Sequence, residues 1–334
     1  MKAAVLHAFG EVPRWEEFPQ PVPGDGEELI EVTAAPLNNI DRVRADGSHY
    51  SVRSGEYASG GLPAVPGVVG AGRLPGGRRV LFGSRCGTMA LGSRCGTMAR
   101  YSVASPQMTF PIPEGLDDAV AAAAWNPGMS AWLALGWRAR LQPGQTVLVL
   151  GATGVTGKLA VQAARHFGAG RVIAAGRNQQ VLDTLPQLGA DATIQLGQPP
   201  DALASAFAAQ AGEHGYDLVL DYLWGQPTEI FLRSTGHDDA QPRSGRTRLL
   251  QAGDMAGPDI TLPAAVLRSA GLEILGLGTG TMPPLDVITA MLGELLDLLA
   301  AGKLRIDTDQ VPLSAVAEVW NRDQQGRRPV FIPS

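Results

Sequence analysis

The chain is expected to be an α/β protein in two parts, a mostly β domain and a doubly wound parallel sheet flanked by helices. Three observations predict this. With 334 residues, it is too long for one ordinary hydrophobic core. Its first part, up to about Asn126, is rich in Gly and Pro and carries short β-type runs bounded by turn residues. Beyond Asn126 the texture changes to strands alternating with Ala-rich helices, the pattern of βαβ units around a parallel sheet.

In the first part the runs Glu28-Leu29-Ile30-Glu31-Val32 and Arg79-Val80-Leu81-Phe82 read as strands, as does Tyr101-Ser102-Val103. Between the last two lies a tandem copy, GSRCGTMA at 83–90 and again at 92–99. Removing one copy leaves VLFGSRCGTMARYSV, a strand–turn–strand passage with no surplus. The extra residues are therefore expected to loop out, since a surface loop tolerates insertion cheaply; the alternative is a loop with a special role. Near the end, Leu285, Ile288, Leu292, Leu295 and Leu299 recur at helical spacing, with Gly302 as the cap. Pro329-Val330-Phe331-Ile332 is the last strand.

The bulk properties narrow the function. A formal net charge of −5 and no block of like charge argue against nucleic acid as the main partner. The start, MKAAVLHAFGEVPRWEEF, lacks the apolar core of a secretory signal. No run of about 18 apolar residues is free of charge, so no membrane span is expected. The only cysteines, Cys86 and Cys95, both fall in the repeat and make no disulfide framework. A reducing, cytoplasmic setting fits best.

The sharpest motif is TVLVLGATGVTGKLAVQAARHFGA, from Thr146. An apolar strand, Val147–Leu150, runs into Gly151, Gly154 and Gly157 and then a helix. Glycines serve such a turn because the backbone must approach a pyrophosphate and the helix must pack against the strand. The helix N-terminus offers free N–H groups and a positive dipole to phosphate. The turn Gly151, Ala152, Thr153, Gly154, Val155, Thr156, Gly157 is thus expected to bind a dinucleotide. Lys158 either touches phosphate or simply begins the helix. Ala160, Ala163, Ala164 and Phe167 give that helix a buried stripe. A Walker loop is excluded by the spacing and by Leu159, where Ser or Thr would be needed.

The next strand, Arg171-Val172-Ile173-Ala174-Ala175, ends at Gly176-Arg177-Asn178. A site for NAD normally has a carboxylate there to accept the ribose hydroxyls. Here Gly176 stands in that place, and the Arg177 guanidinium can fork onto a 2′-phosphate. The cofactor is therefore expected to be NADP(H), the alternative for Arg177 being a solvated surface charge.

With these residues in hand, the chain resembles the medium-chain dehydrogenase/reductases of the zinc-free quinone oxidoreductase (zeta-crystallin-like) branch. The markers are PLNNIDRVRADGSHY (36–50), PGVVGAG (66–72), GTMARYSV (96–103), the GATGVTG turn, LDYLWG (220–225), QAGDMAG (251–257), LEILGLGTG (272–280) and a closing GRRPVFIP. The resemblance implies a GroES-like catalytic domain from 1–125 and 283–334, a Rossmann domain from 126–282, and a homodimer. It also implies a substrate cleft over the nicotinamide, with Ser130, Tyr222, Ala252 and Gly253 near that ring. Zinc members of the superfamily carry a His-Glu pair where Val68-Val69 stand, and a ligand Cys near Asn38; this chain has neither. Its His residues, at 7, 49, 166, 214 and 237, are scattered, whereas catalytic zinc needs about three protein ligands. The reductase branch often keeps acidic residues where this chain has Val69 and Arg100.

The expected activity is hydride transfer from NADPH to a quinone or to an α,β-unsaturated carbonyl compound. Asn38 and Tyr50 are the candidate donors to the carbonyl oxygen, which gains negative charge. A proton for the other centre would come from Tyr50 or from water. Two readings stand beside these roles: Asn38 as a residue satisfying a turn, and Tyr50 as a packing residue. A different class, an NADPH-binding redox sensor or structural protein with little turnover, is the alternative for the whole chain.

Overall fold

The computed structural model describes residues 1–49, 52, 61–84, 95–211, 215–235 and 246–333. Tyr50 and repeat residues 85–94 lie outside these. The chain divides into two compact units, Met1–Asn126 with Leu292–Ser334, and Pro127–Met291.

The first unit begins with β1 (Lys2–Val5) and β2 (Arg14–Glu17), paired antiparallel. It continues with β3 (Glu28–Pro36), β4 (Val69–Arg73), β5 (Arg79–Gly83), β6 (Tyr101–Ala104) and β7 (Thr109–Pro111). The second unit carries β8 (Thr146–Leu150), β9 (Arg171–Gly176), β10 (Ala192–Gln195), β11 (Leu218–Asp221), β12 (Arg248–Gln251) and β13 (Glu273–Gly276). The chain then returns to the first unit with β14 (Thr308–Pro312) and β15 (Arg328–Ile332).

In the first unit the strand order is β14-β15-β3-β4-β5-β7, with β6 also paired to β3. Apart from the parallel β14–β15 pair, these pairings are antiparallel. Long β3 is the hub: Leu29 and Ile30 face β6, while Ala35 and Pro36 meet Phe331 and Val330 of the C-terminal strand. Val5, Ile30, Phe82, Met98, Leu313, Trp320 and Phe331 form its core, so residues from both ends of the chain share one apolar interior.

The second unit is a fully parallel sheet of order β10-β9-β8-β11-β12-β13. Val147–Leu150 and Val172–Ala175 are wholly buried, as expected of parallel strands covered on both faces. The sheet reverses direction of growth between β8 and β11, the switch point where such folds bind ligands beyond the carboxyl ends of the strands.

One helical expectation holds and another needs correction. The stripe from Leu285 to Leu299 does form one helix, Leu285–Ala300, and Gly302 beyond it has φ +66°. Only Leu292, Leu295, Leu296 and Leu299 are buried, however, while Leu285 is 43% exposed. The compact units divide at Met291/Leu292, and the buried leucines all fall in the half counted with the first unit. The helix after β8 ends at His166, with Phe167 as its C-cap. Phe167 packs edge-on against Trp132 and His166 instead of completing the buried stripe.

Candidate functional site

Strand register puts most of the expected nucleotide residues in one row. Leu150 pairs with Ala175 on one side and Asp221 on the other, and Asp221 pairs with Gln251. The next residues, Gly151, Gly176, Tyr222 and Ala252, therefore line the carboxyl edge of four adjacent strands.

The turn after β8 is shaped by space. Gly151 has φ +89°, and its N–H and that of Ala152 donate to the Ala175 carbonyl at 2.9 and 2.8 Å. Gly154 caps the helix Val155–His166 from an extended conformation. A Cβ at Gly157 would lie 2.5 Å from Ala152 Cα and closer still to the Gly151 carbonyl oxygen, so only glycine lets helix and strand approach. The N–H groups of Val155, Thr156 and Gly157 occupy the first helical turn, where no intrahelical acceptor exists. Lys158 donates its N–H to Gly154, continuing the helix.

At the end of β9, Gly176 is glycine for a neighbourly reason. A Cβ there would sit 2.8 Å from Thr153 Oγ1 and nearer to the Thr153 methyl. The missing carboxylate at this position is thus accounted for by the close packing of the two turns. Arg177 is exposed. Asn178 uses Oδ1 to accept the Val181 N–H at 3.3 Å, capping the short helix Gln179–Leu182.

Across the switch point, Asp221 is fully buried. Its Oδ1 accepts the Leu223 and Trp224 N–H groups at 2.8 and 3.0 Å, and its Oδ2 accepts the Thr228 hydroxyl at 2.6 Å. Burial pushes its carboxyl up and these donors pull it back. Tyr222 lies beneath Gly151, whose Cβ would be 3.4 Å from that of Tyr222. Its phenol is buried without a hydrogen bond of ordinary geometry. Burial raises its pKa, against the pull of neighbouring Ser130. Gly253 packs on the Tyr222 carbonyl, and Ala252 N–H donates to Asp221 O at 2.8 Å. The structure thus brings Gly151, Ser130, Tyr222, Ala252 and Gly253 together.

The first unit holds a second strand-to-helix junction, where β3 gives way to Leu37-Asn38 and the helix Asn39–Ala45. Asn38 is fully buried and caps this helix, its own N–H donating to Asp41 Oδ2 at 2.8 Å. The other Asp41 oxygen accepts the Val68 N–H at 2.9 Å. Burial lifts Asp41 from 3.8 to about 6, opposed mainly by these two N–H donors. Apart from a loose approach to Asp41, the Asn38 side-chain Oδ1 and Nδ2 make no hydrogen bond of ordinary geometry.

A family model described as zinc-binding dehydrogenase matches residues 155–235. A probable NADPH-dependent quinone reductase, tdiC, of Emericella nidulans is 29% identical over the whole of both chains. Erythronolide synthase EryA2 of Saccharopolyspora erythraea is 30% identical over 87% of this chain, which spans only 7% of that much longer protein. Among solved structures, an NAD-dependent alcohol dehydrogenase superposes with a TM-score of 0.82 at 27% identity, over 99% of each chain. The chain belongs to the medium-chain dehydrogenase/reductase superfamily, in its quinone oxidoreductase branch. It is an oxidoreductase.

The matched zinc-binding model lies within the parallel-sheet unit, away from where zinc members of the superfamily hold the ion. At that place this oxidoreductase has Val68 and Val69, both buried, with the Val68 N–H committed to Asp41. Among the described residues no three His, Cys, Asp or Glu side chains come together to hold a metal. Val68 and Val69 themselves offer no zinc ligand. Sequence reasoning missed Asp41, although its spacing from Asn38 is that of a capping box, where the third helical residue reaches back to the cap.

Proposed function

We propose that the protein is a zinc-independent, NADPH-dependent reductase acting on quinones or α,β-unsaturated carbonyl compounds. The observation that carries this is the carboxyl edge of the parallel sheet, a glycine turn at the switch point flanked by Gly176-Arg177 with no carboxylate. NADPH, when bound, supplies the hydride. The Val155, Thr156 and Gly157 N–H groups suit its pyrophosphate, and Lys158 stands one residue further on. The Arg177 fork suits the 2′-phosphate, while Asn178 shapes the turn beside it. Ser130, Tyr222, Ala252 and Gly253 would flank the nicotinamide.

On the substrate side, the Asn38 amide is the proposed donor to the carbonyl oxygen as it gains charge. Tyr50, the second candidate, falls outside the described residues. The buried valines at 68 and 69 support a reaction without zinc. No described helix is long and apolar enough to cross a membrane, and a small-molecule acceptor fits an oxidoreductase of this branch. A homodimer is proposed as well. Strand β13 ends its sheet, and Ile274 on it is exposed, as are Leu267, Met282 and Leu285.

The test is NADPH oxidation, followed at the nicotinamide absorbance, with p-benzoquinone, other quinones, methyl vinyl ketone and longer enals. Turnover with at least one acceptor, unaffected by chelators and by a protein free of stoichiometric zinc, is expected. Tight NADPH binding with no oxidation by any acceptor would instead indicate a sensor.

A further inference from the structure

The Leu37-Asn38 junction is held from several sides by buried polar groups. Leu37 N–H donates to the Pro329 carbonyl at 2.9 Å. Its carbonyl accepts Arg328 Nη1 at 2.7 Å and Gln324 Nε2 at 3.4 Å. Asn38 N–H and Val68 N–H close on the two oxygens of Asp41. The Leu37 and Asn38 N–H groups are thereby engaged, while the Asn38 amide is fully buried and approaches only Asp41, without a hydrogen bond of ordinary geometry. A buried amide left so is costly, and such groups in native proteins call for a functional account.

We propose that Asp41 and Arg328 are positioning residues that aim the Asn38 amide at the substrate's carbonyl oxygen. This rests on the reductase reading above. The side-chain chemistry is specific. A carboxylate is acceptor-only, so one residue can bind two N–H groups from separate segments. An amide at 41 would turn an NH2 group against one of them. The planar Arg328 fork, itself buried, ties the same junction to strand β15.

Among the described residues the charged neighbours of Asp41 are Arg42 and Arg44 on its own helix and Arg328 on β15. Asp323 also acts on Arg42. Segment 64–68, packed on the other side, is AVPGV and brings no titratable group. As pH falls through about 6, Asp41 takes up a proton and gives up an acceptor, and the aim of Asn38 should loosen.

The experiment is the pH profile of kcat with p-benzoquinone or methyl vinyl ketone, neither of which titrates, for wild type, Asn38→Ala, Asp41→Asn and Arg328→Lys. Wild-type kcat should fall below about pH 6. Asn38→Ala should lower kcat about a hundredfold and erase that acid limb, because Asp41 then has nothing to aim. Asp41→Asn should lower kcat about tenfold, erase the limb, and leave the KM for NADPH within about twofold. Arg328→Lys should lower kcat several-fold and keep the limb. A limb retained in Asn38→Ala, or wild-type kcat in Asp41→Asn, overturns the proposal while leaving the reductase reading standing. Should Asp41→Asn not fold, the Asn38→Ala profile decides alone. Absence of turnover by the wild type with every acceptor overturns the reductase reading, and this inference with it.

Discussion

Two strand-to-helix junctions of the molecule, those after β8 and β3, solve the same geometric problem with opposite materials. After β8 the chain turns on backbone alone. Gly151 supplies a positive φ, Gly157 supplies clearance, and the offered groups are N–H donors of the helix start. After β3 the chain turns on buried side chains, with Asp41 and Arg328 gripping Leu37-Asn38 and the offered group an amide. A backbone junction fails when a methyl group is added, and a side-chain junction fails when a hydrogen-bond partner is removed.

The largest effect should come from adding that methyl group. Gly157→Ala forces Cβ into the Gly151 carbonyl and Ala152 backbone, which cannot yield as a side-chain tip would. A loss of about 3 kcal/mol in urea unfolding is expected, with NADPH binding lost in a fluorescence titration. Gly154→Ala in the same loop meets only the Gly151 carbonyl oxygen, at 3.5 Å. It should retain both fold and binding, and equal damage from both changes would show that space is not what rules this turn.

Next in size is a partner deletion beyond β11, which extends the side-chain principle into the nucleotide unit. Asp221→Ala leaves Leu223 N–H, Trp224 N–H and the buried Thr228 hydroxyl without their acceptor. A cost of about 2 kcal/mol in unfolding is expected. A variant as stable as wild type would mean that water replaces the carboxylate.

Asp41 gives the comparison a pH dependence. Its folded pKa is raised from 3.8 to about 6, so the native state keeps a proton that the unfolded chain has lost. Its contribution to stability is therefore full below pH 4 and declines as pH rises to about 6, by up to about 1.4 kcal/mol per pH unit. Unfolding free energies of wild type minus Asp41→Asn, measured across this range, should fall as pH rises. A flat difference would show that Asp41 titrates normally.

Smaller still is Arg177→Ala. Its guanidinium is exposed, so the contact is screened and should weaken with salt. The KM for NADPH should rise about tenfold with that for NADH nearly unchanged. A mutant that keeps its preference points to Lys158. The smallest effect is expected from deleting 83–91, because Gly92-Ser93 then restores the Gly83-Ser84 pair in sequence. Ser84 donates to the Gly67 carbonyl at 2.7 Å, and Ser93 would inherit that bond. Thermal midpoint and NADPH affinity should stay near wild type; loss of soluble protein would show that the extra copy has become structural.

The two junctions also differ in how readable they were. The glycine turn was legible because its constraints are local: strand, Gly151, Gly154, Gly157 and helix follow one another within twelve residues of Thr146. Gly176 was seen but half understood, since its clearance depends on the Thr153 side chain from another turn. Asn38 was legible only through resemblance. Its neighbours Asp41, Val68 and Arg328 were not, because the bonds that join them cross up to 291 positions of sequence.

By itself, then, the sequence determined the alternation of strands and helices, the dinucleotide-type turn and the absence of a His-Glu pair at 68–69. Hydrophobic periodicity and glycine sterics act over a few residues and leave their mark in order along the chain. Tertiary structure alone decided which half of the Leu285–Ala300 helix is buried, which row of residues shares the carboxyl edge, and which buried charges hold Asn38. Those outcomes depend on strand register and on a C-terminal strand docking beside β3, and hydrogen bonds between distant segments leave no local pattern to read.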